Sequence, residues 1–508
     1  MMSGGNHLFD ALFAPHVAST RLFIDQSIDQ GEGLTYQDFL SLSTRYAASL
    51  RQRGITPGDR VAVQAKKSLA VLAVYAACVQ TGAIFLPLNT AYTPAEMSYF
   101  LQDSGAALLI CDPAAYQNLA PIARITQTKI VTIGEGGDFV PIASPTSPVV
   151  PRSGDDLAAL LYTSGTTGRA KGAMLTHENL LSNARALVRA WDFSADDILL
   201  HALPIFHTHG LFVAVNTCLL TGCSMIFHAS FDTDQVLQDL PRASVMMGVP
   251  TFYTRLLDSG RLPSLAMPSM RLFISGSAPL LAQTHRAFHA QTGHQILERY
   301  GMTETGMLTS NPYHGMRKPG AVGPPLAGVD VQISDCETNV PLGTGSIGMI
   351  KVRGAGMFVG YWGMPEKTKQ DFDEAGFFIT GDLGLIDNQG YVQITGRAKD
   401  VIISGGYNIY PKEIEQVLDA LPNVRESAIF GAPHKDFGEA VVAVIVLHDP
   451  DSYDPDTDRQ NDILSQIKDS LASFKRPRQI YFTENLPRNA MGKVQKHLLR
   501  KTYHHAFS

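Results

Sequence analysis

The sequence predicts an α/β protein. It has a large N-terminal region of parallel βα layers plus a β subdomain, then a small α+β unit. Three observations carry this reading. From Leu157 to Gly301 short apolar runs alternate with longer helical stretches. Those runs are apolar throughout, as strands of a parallel sheet covered on both faces are. Beyond Gly396 the pattern changes to a compact unit of about a hundred residues, an ordinary size for a small domain.

The elements follow in order. An early βα set spans about Leu34 to Thr132 and suggests a second, similar layer. Within it Leu69 to Leu88 could mimic a membrane span, but Gln80-Thr81-Gly82 and Pro87 interrupt it. It divides into a helix near Leu69–Val79 and a strand near Ala83–Leu86, both core. Strands are then expected at Leu157–Leu161, Ile198–Ala202, Ser224–Phe227, Val245–Val249, Arg271–Ile274 and Gln295–Glu298. The helices between them include Glu178–Trp191, Gly210–Leu220, Thr251–Leu257 and Leu280–Gln291. A Pro- and Gly-rich stretch, Pro312 to Pro341, precedes shorter alternating strands at Met349–Val352, Phe377–Thr380 and Tyr391–Thr395.

A boundary is expected at Gly396-Arg397-Ala398-Lys399-Asp400, dividing the chain into domains 1–397 and 398–508. The second unit reads as a strand at Val401–Ile403, a glycine pair and a helix from Lys412. Strands at Ser427–Gly431 and Ala440–Leu447, a helix near Ile463–Leu471 and a strand at Gln479–Phe482 complete it.

Composition narrows the function classes. The net charge is −6 and 17% of residues are charged. No basic block points to nucleic acid and no acidic tail is present. The five cysteines are scattered without a C-x-x-C pair, as buried thiols of a reducing compartment are. Met1 to His7 lacks the basic start and apolar stretch of a signal peptide. A cytoplasmic protein with no stable membrane association is expected.

The most informative stretch runs from Tyr162 to Gly172, after the apolar run Leu157–Leu161. Thr163, Ser164, Gly165, Thr166, Thr167, Gly168 and Lys171 are small, hydroxylated, basic or glycine. Such a loop can wrap a triphosphate: glycines admit the backbone N–H groups, hydroxyls donate, and Lys171 supplies charge. It lacks the Walker spacing. Its pattern, Thr-Ser-Gly-Thr-Thr-Gly-x-x-Lys-Gly, resembles the signature loop of the adenylate-forming superfamily. That superfamily holds acyl-CoA synthetases, luciferases and peptide-synthetase adenylation domains. Further signature segments occur in the family's order at Tyr300–Glu304, Thr380–Asp382, Gly396–Asp400 and Pro487–Lys493.

The resemblance implies roles for this chain's residues. ATP contacts are expected from the loop above, from Ser277, Ala278 and Pro279, and from Glu298, Arg299, Tyr300, Gly301, Met302 and Thr303. Thr303 would touch the α-phosphate, Tyr300 would lie near adenine and Glu304 would hold Mg²⁺. A single carboxylate plus phosphate oxygens suits that ion. Asp382 would clamp the ribose with Arg397 as its partner. Lys493, with Gly492 letting its loop turn, would be the lysine of the adenylation step. Lys399 holds the family's hinge position, which implies that the small α+β unit is mobile. Ser404, Gly405, Gly406 and Tyr407 would form the face over which the pantetheine of coenzyme A passes.

No phosphopantetheine-serine segment is read in the chain, so free coenzyme A is the expected acceptor rather than a built-in carrier domain. Candidate acid-pocket segments are Pro204 to Gly210, Met247 to Thr251, Ser275 to Pro279, and Thr284-His285-Arg286. The strings around His207, Gly248, Ser277 and Arg286 are similar to those of malonyl-CoA synthetases. That similarity implies that Arg286 binds the distal carboxylate of a diacid, malonate, with His207, Ser277 and Gly248 around it and His207 also among the catalytic residues; a ligase for methylmalonate or another short-chain acid is the alternative. Periodicity puts Leu281, Thr284 and Phe288 on one helix face and Arg286 away from it.

Overall fold

A computed structural model describes residues 5–25, 33–143, 147–163, 169–449, 458–489 and 492–507. Two large sheets organise the N-terminal part. The first has seven strands in the order Gly360–Tyr361, Lys171–Thr176, Leu157–Thr163, Ile84–Pro87, Arg60–Gln64, Leu108–Cys111 and Lys129–Thr132. Its strands from Leu157–Thr163 to Lys129–Thr132 run parallel. The second has eight, in the order Gly306–Ser310, Ile296–Met302, Leu272–Ser275, Val245–Gly248, Ile198–His201, Ser224–Phe227, Leu22–Asp25 and Leu34–Thr35. Its six inner strands are parallel and the two edge strands antiparallel.

One assignment differs from the sequence reading. The strand beginning at Leu157 does not join the expected strands from Ile198 onward. It pairs with Ile84–Pro87 in parallel and Lys171–Thr176 antiparallel, closing the first sheet. Alternation of strand and helix gives the order of elements but not the partner of each strand.

The helix Leu69–Thr81 is buried from Val71 to Thr81 and packs on Tyr36–Gln52. Ser68 caps its start by accepting from the Val71 N–H, and Gly82 ends it in the left-handed region at φ +71°. Its apolar length is therefore core. Among the described residues no helix is long and apolar enough to cross a membrane.

A third sheet, Val329–Ser334, Gly348–Gly354, Phe378–Ile386 and Val392–Arg397, is antiparallel. The strand expected at Phe377–Thr380 runs on to Ile386. The C-terminal unit folds around its own core, including Ile402, Ile414, Ile429, Ile445, Ile463 and Ile480. Its sheet contains Ile402–Ser404, Tyr407–Ile409, Gly438–Leu447, Val424–His434 and Gln479–Phe482. The helix expected at Ile463–Leu471 is shifted to Arg459–Gln466.

Candidate active site

Register builds one edge of the site. In the second sheet Met247 stands opposite His201, Gly248 opposite Ser275, and Ser275 opposite Glu298. Four parallel strands thus come level at their carboxyl ends, where open α/β sheets bind ligands. The strand expected to stop at Glu298 continues to Met302 and turns into a hairpin with Gly306–Ser310. Thr303 and Glu304 occupy the tip of that hairpin.

The strand Ile296–Met302 carries an arginine inward. Arg299 is 4% exposed, and its Nε and Nη2 have no hydrogen-bond partner. Its guanidinium lies over Gly276: a Cβ there would come within 2.3 Å of Cζ. Burial lowers the Arg299 pKa to about 9, with Tyr253 opposing. Ser277 next to Gly276 is held at φ +71°, a strained conformation for a non-glycine residue that marks functional sites. Its hydroxyl lies 3.2 Å from His209 Nδ1. His209 is buried, its Nε2 has no partner, and burial followed by the Arg299 charge drives its pKa well down. His207 is pushed down to about 4 by burial, then by Arg299 and Lys493. Its Nδ1 accepts from the His209 N–H at 3.2 Å, leaving the proton of the neutral ring on Nε2. The result is a cluster of one buried cation and two neutral histidines at the carboxyl ends of the strands. Gly248, level with Ser275 on the next strand, lies close to Phe252 and Tyr253.

A short π-helical turn, His209–Val215, starts where a continuous helix from Gly210 was expected, and an α-helix, Asn216–Thr221, follows. Such turns are frequent at functional sites.

The residues expected to hold the ribose meet at the third sheet. Asp382 and Arg397 are cross-strand partners, joined by a 2.6 Å ion pair. The Tyr300 hydroxyl donates to the other Asp382 oxygen at 2.5 Å. Glu304 is 6% exposed and accepts from Thr163 Oγ1 at 3.1 Å and from the Tyr361 hydroxyl at 3.3 Å. Thr303 Oγ1 lies 3.5 Å from Thr208 Oγ1. Among the described residues no group of three or more His, Cys, Asp or Glu could hold a metal by itself. A buried single carboxylate beside a phosphate loop suits Mg²⁺, which takes its remaining ligands from phosphates and water.

Of the phosphate loop, Ser164, Gly165, Thr166, Thr167 and Gly168 lie outside the described residues. Its flanks, Thr163 and Lys171, are paired across strands that return on each other. Lys171 is 8% exposed and turns to Asp371 at 3.5 Å and to the Tyr361 ring at 4.0 Å.

The small unit places Lys493 over this edge. Crowding by protein atoms lowers its pKa, as do Arg397 and Lys399, while Asp382 and Asp400 oppose. Water still reaches the side chain in the cleft. Lys399 is exposed in a single turn, Ala398–Asp400, directly after Arg397. Gly405 and Gly406, at φ +57° and +83°, make the tight hairpin between Ser404 and Tyr407. Tyr407 is exposed and stacks on Phe474 at 4.6 Å.

Arg286 stands apart. On the helix Ala282–Thr292 the buried residues are Thr284, His285 and Phe288, whereas Arg286 faces solvent. Arg299, read from the sequence only as part of the nucleotide segment, is the buried arginine that lies over Gly276 and whose charge is felt at His207 and His209. No local pattern marked it: Arg299 follows Glu298 just past the strand end expected from the sequence.

Comparison with known proteins gives the same frame. Residues 15–362 match the AMP-binding enzyme family and residues 413–493 its C-terminal domain. A feruloyl-CoA synthase of Amycolatopsis sp is 34% identical over 497 residues, 97% of each chain. A malonate–CoA ligase of Arabidopsis thaliana is 32% identical, over 98% of this chain and 85% of its own. ATP-bound MatB from Rhodopseudomonas palustris is 50% identical, covers 99% of this chain and 100% of its own, and superposes with a TM-score of 0.94. The apo form of MatB superposes at 0.83.

Proposed function

The chain belongs to the AMP-binding enzyme family, the adenylate-forming acid–CoA ligases, and from that premise we propose that it joins malonate to coenzyme A through a malonyl-adenylate. The observation that carries the choice of acid is Arg299. A buried guanidinium without a partner is costly, and removing one partner of a buried pair costs about 3–5 kcal/mol. A carboxylate in the pocket relieves that cost, and arginine can hold it through two parallel hydrogen bonds. A monocarboxylic acid offers its one carboxylate to the α-phosphate and leaves Arg299 unpaired. A diacid satisfies both. Neutral His207 and His209 add hydrogen-bonding capacity without a second fixed charge. The malonate–CoA ligase and MatB relatives support this reading.

In the proposed reaction one carboxylate oxygen of malonate attacks the α-phosphorus of ATP. The bond from that phosphorus to the bridging oxygen breaks, and pyrophosphate leaves. Lys493 stabilises the charge that grows on the α-phosphate, as fixed charges do in phosphoryl-type chemistry. Asp382, Arg397 and Tyr300 hold the ribose end, and Thr303 orients the phosphate. Mg²⁺ bound at Glu304 would neutralise phosphate charge. The small domain, 398–508, then turns about Lys399 and brings Ser404 to Tyr407 over the cleft. The coenzyme A sulfur attacks the acyl carbon, its proton is released, and AMP departs.

The test is AMP release with malonate, methylmalonate, butyrate and ferulate, for the natural enzyme, Arg299→Ala and Arg286→Ala. The natural enzyme should prefer malonate. Arg299→Ala should lose malonate kcat/KM by on the order of a hundredfold to a few thousandfold, at about 1.4 kcal/mol per tenfold. Butyrate should lose far less or gain. Arg286→Ala should stay near the natural enzyme with both acids. Preference for ferulate, or equal loss of malonate and butyrate in Arg299→Ala, would overturn the malonate reading.

A further inference from the structure

Among the described residues of the loop that carries Lys493, Gly492 comes close to the large domain. A Cβ built on Gly492 would lie 3.0 Å from Thr251 Oγ1 and 3.2 Å from its Cγ2. Gly492 has φ +72°. Bare glycine backbone therefore fits flush against a threonine side chain, with little room for a methyl group. Thr251 stands in the first turn of the helix Pro250–Asp258, directly after the strand Val245–Gly248. That strand forms the pocket edge beside Ser275, and the Gly248 carbonyl accepts from the Gly276 N–H at 3.2 Å. The contact is thus built into the same rigid edge that carries Gly276 and Ser277.

The loop is braced from behind by its own domain. The Gly492 N–H donates to the Asn489 carbonyl at 2.9 Å, and the Asn489 N–H to the Lys493 carbonyl at 3.0 Å. Arg488 donates to the Gly492 carbonyl and pairs with Glu426. Shortly after Lys493 the chain is tied again, where Lys496 pairs with Glu415 at 2.6 Å. These ties join Arg488, Asn489, Gly492 and Lys493 to the small domain, so the depth at which Lys493 enters the cleft depends on what Gly492 meets.

We propose that Thr251 is a positioning residue for adenylate formation: it is the seat against which Gly492 stops, fixing the reach of Lys493 toward the α-phosphate. This rests on the reading that Lys493 serves the adenylation step. It further implies that the seat is used in that half-reaction alone, because the loop leaves Thr251 when the small domain turns.

The experiment measures two half-reactions. One is acid-dependent exchange of pyrophosphate into ATP; the other is thioester formation from preformed acyl-adenylate and coenzyme A. The variants are Thr251→Leu, Gly492→Ala, and Gly492→Ala combined with Thr251→Gly. Thr251→Leu should lower exchange by roughly a hundredfold, the scale that misplacing a reacting group by about 1 Å costs. Its thioester formation should fall far less than its exchange. Gly492→Ala should lower exchange further, because left-handed backbone strain adds to the clash, and adding Thr251→Gly should recover the part due to the clash. Unchanged exchange in Thr251→Leu, equal loss of both half-reactions, or no recovery in the double variant would overturn the seat. If the natural enzyme exchanges with another acid of the panel and not with malonate, the malonate reading fails, and the seat is tested with that acid.

Discussion

Glu298 carries a carboxyl group to a place where charge is costly. It is 5% exposed, accepts from the Gly320 N–H at 3.0 Å, and is pushed up to about 8 by burial, with Gly320 and Lys412 opposing. Above the ordinary carboxylate range the unfolded chain has lost this proton while the folded chain keeps it, so stability falls as pH rises toward 8. Glu298→Gln removes that dependence. Its melting temperature relative to the natural enzyme should therefore be higher at about pH 8 than at about pH 5.5, measured by thermal unfolding of both proteins. An identical difference at the two pH values would contradict the assignment. Among the site residues the sequence was partly legible. The types and order of the signature residues stood in the chain, but the choice between Arg286 and Arg299 did not. Helical spacing already put Arg286 off the buried face, whereas Arg299 owes its place to Gly276, just past the end of a neighbouring strand. Pairing between strands separated by a whole helix leaves no local pattern to read.

The elements were more legible than their partners. The apolar run Leu157–Leu161 reads as a strand, but its place in the first sheet comes from pairing with Ile84–Pro87, far away in sequence. The helix Leu69–Thr81 was readable because Gly82 and Pro87 interrupt the apolar stretch. The π-helical turn at His209 was not, since it shares its residue pattern with an α-helix. The turn Ala398–Asp400 joins Arg397, held by Asp382, to Asp400, which pairs with Arg500 of the last helix at 3.0 Å. Lys399 between them is exposed, and its backbone angles can change without breaking either pair. Proline there locks φ. Lys399→Pro should keep pyrophosphate exchange and lose thioester formation, measured as separate half-reactions on folded protein. Equal loss of both would place the hinge elsewhere.

Across the full chain, a large α/β body presents a row of strand ends and a small unit brings one lysine to it. The superposition is closer to ATP-bound MatB than to its apo form, and in this arrangement the charge of Lys493 is felt at His207 and that of Asp382 at Lys493. A malonyl-adenylate forms only if the acid itself attacks the α-phosphate. Isotope tracing reads that step: malonate labelled with ¹⁸O in its carboxylates is turned over with ATP and coenzyme A, and the AMP is weighed by mass spectrometry. Attack by malonate leaves one of its oxygens on phosphorus when the thiol displaces AMP, so the AMP should carry a single ¹⁸O. Unlabelled AMP, or label recovered in inorganic phosphate beside ADP, would contradict a malonyl-adenylate and the ligase mechanism built on it.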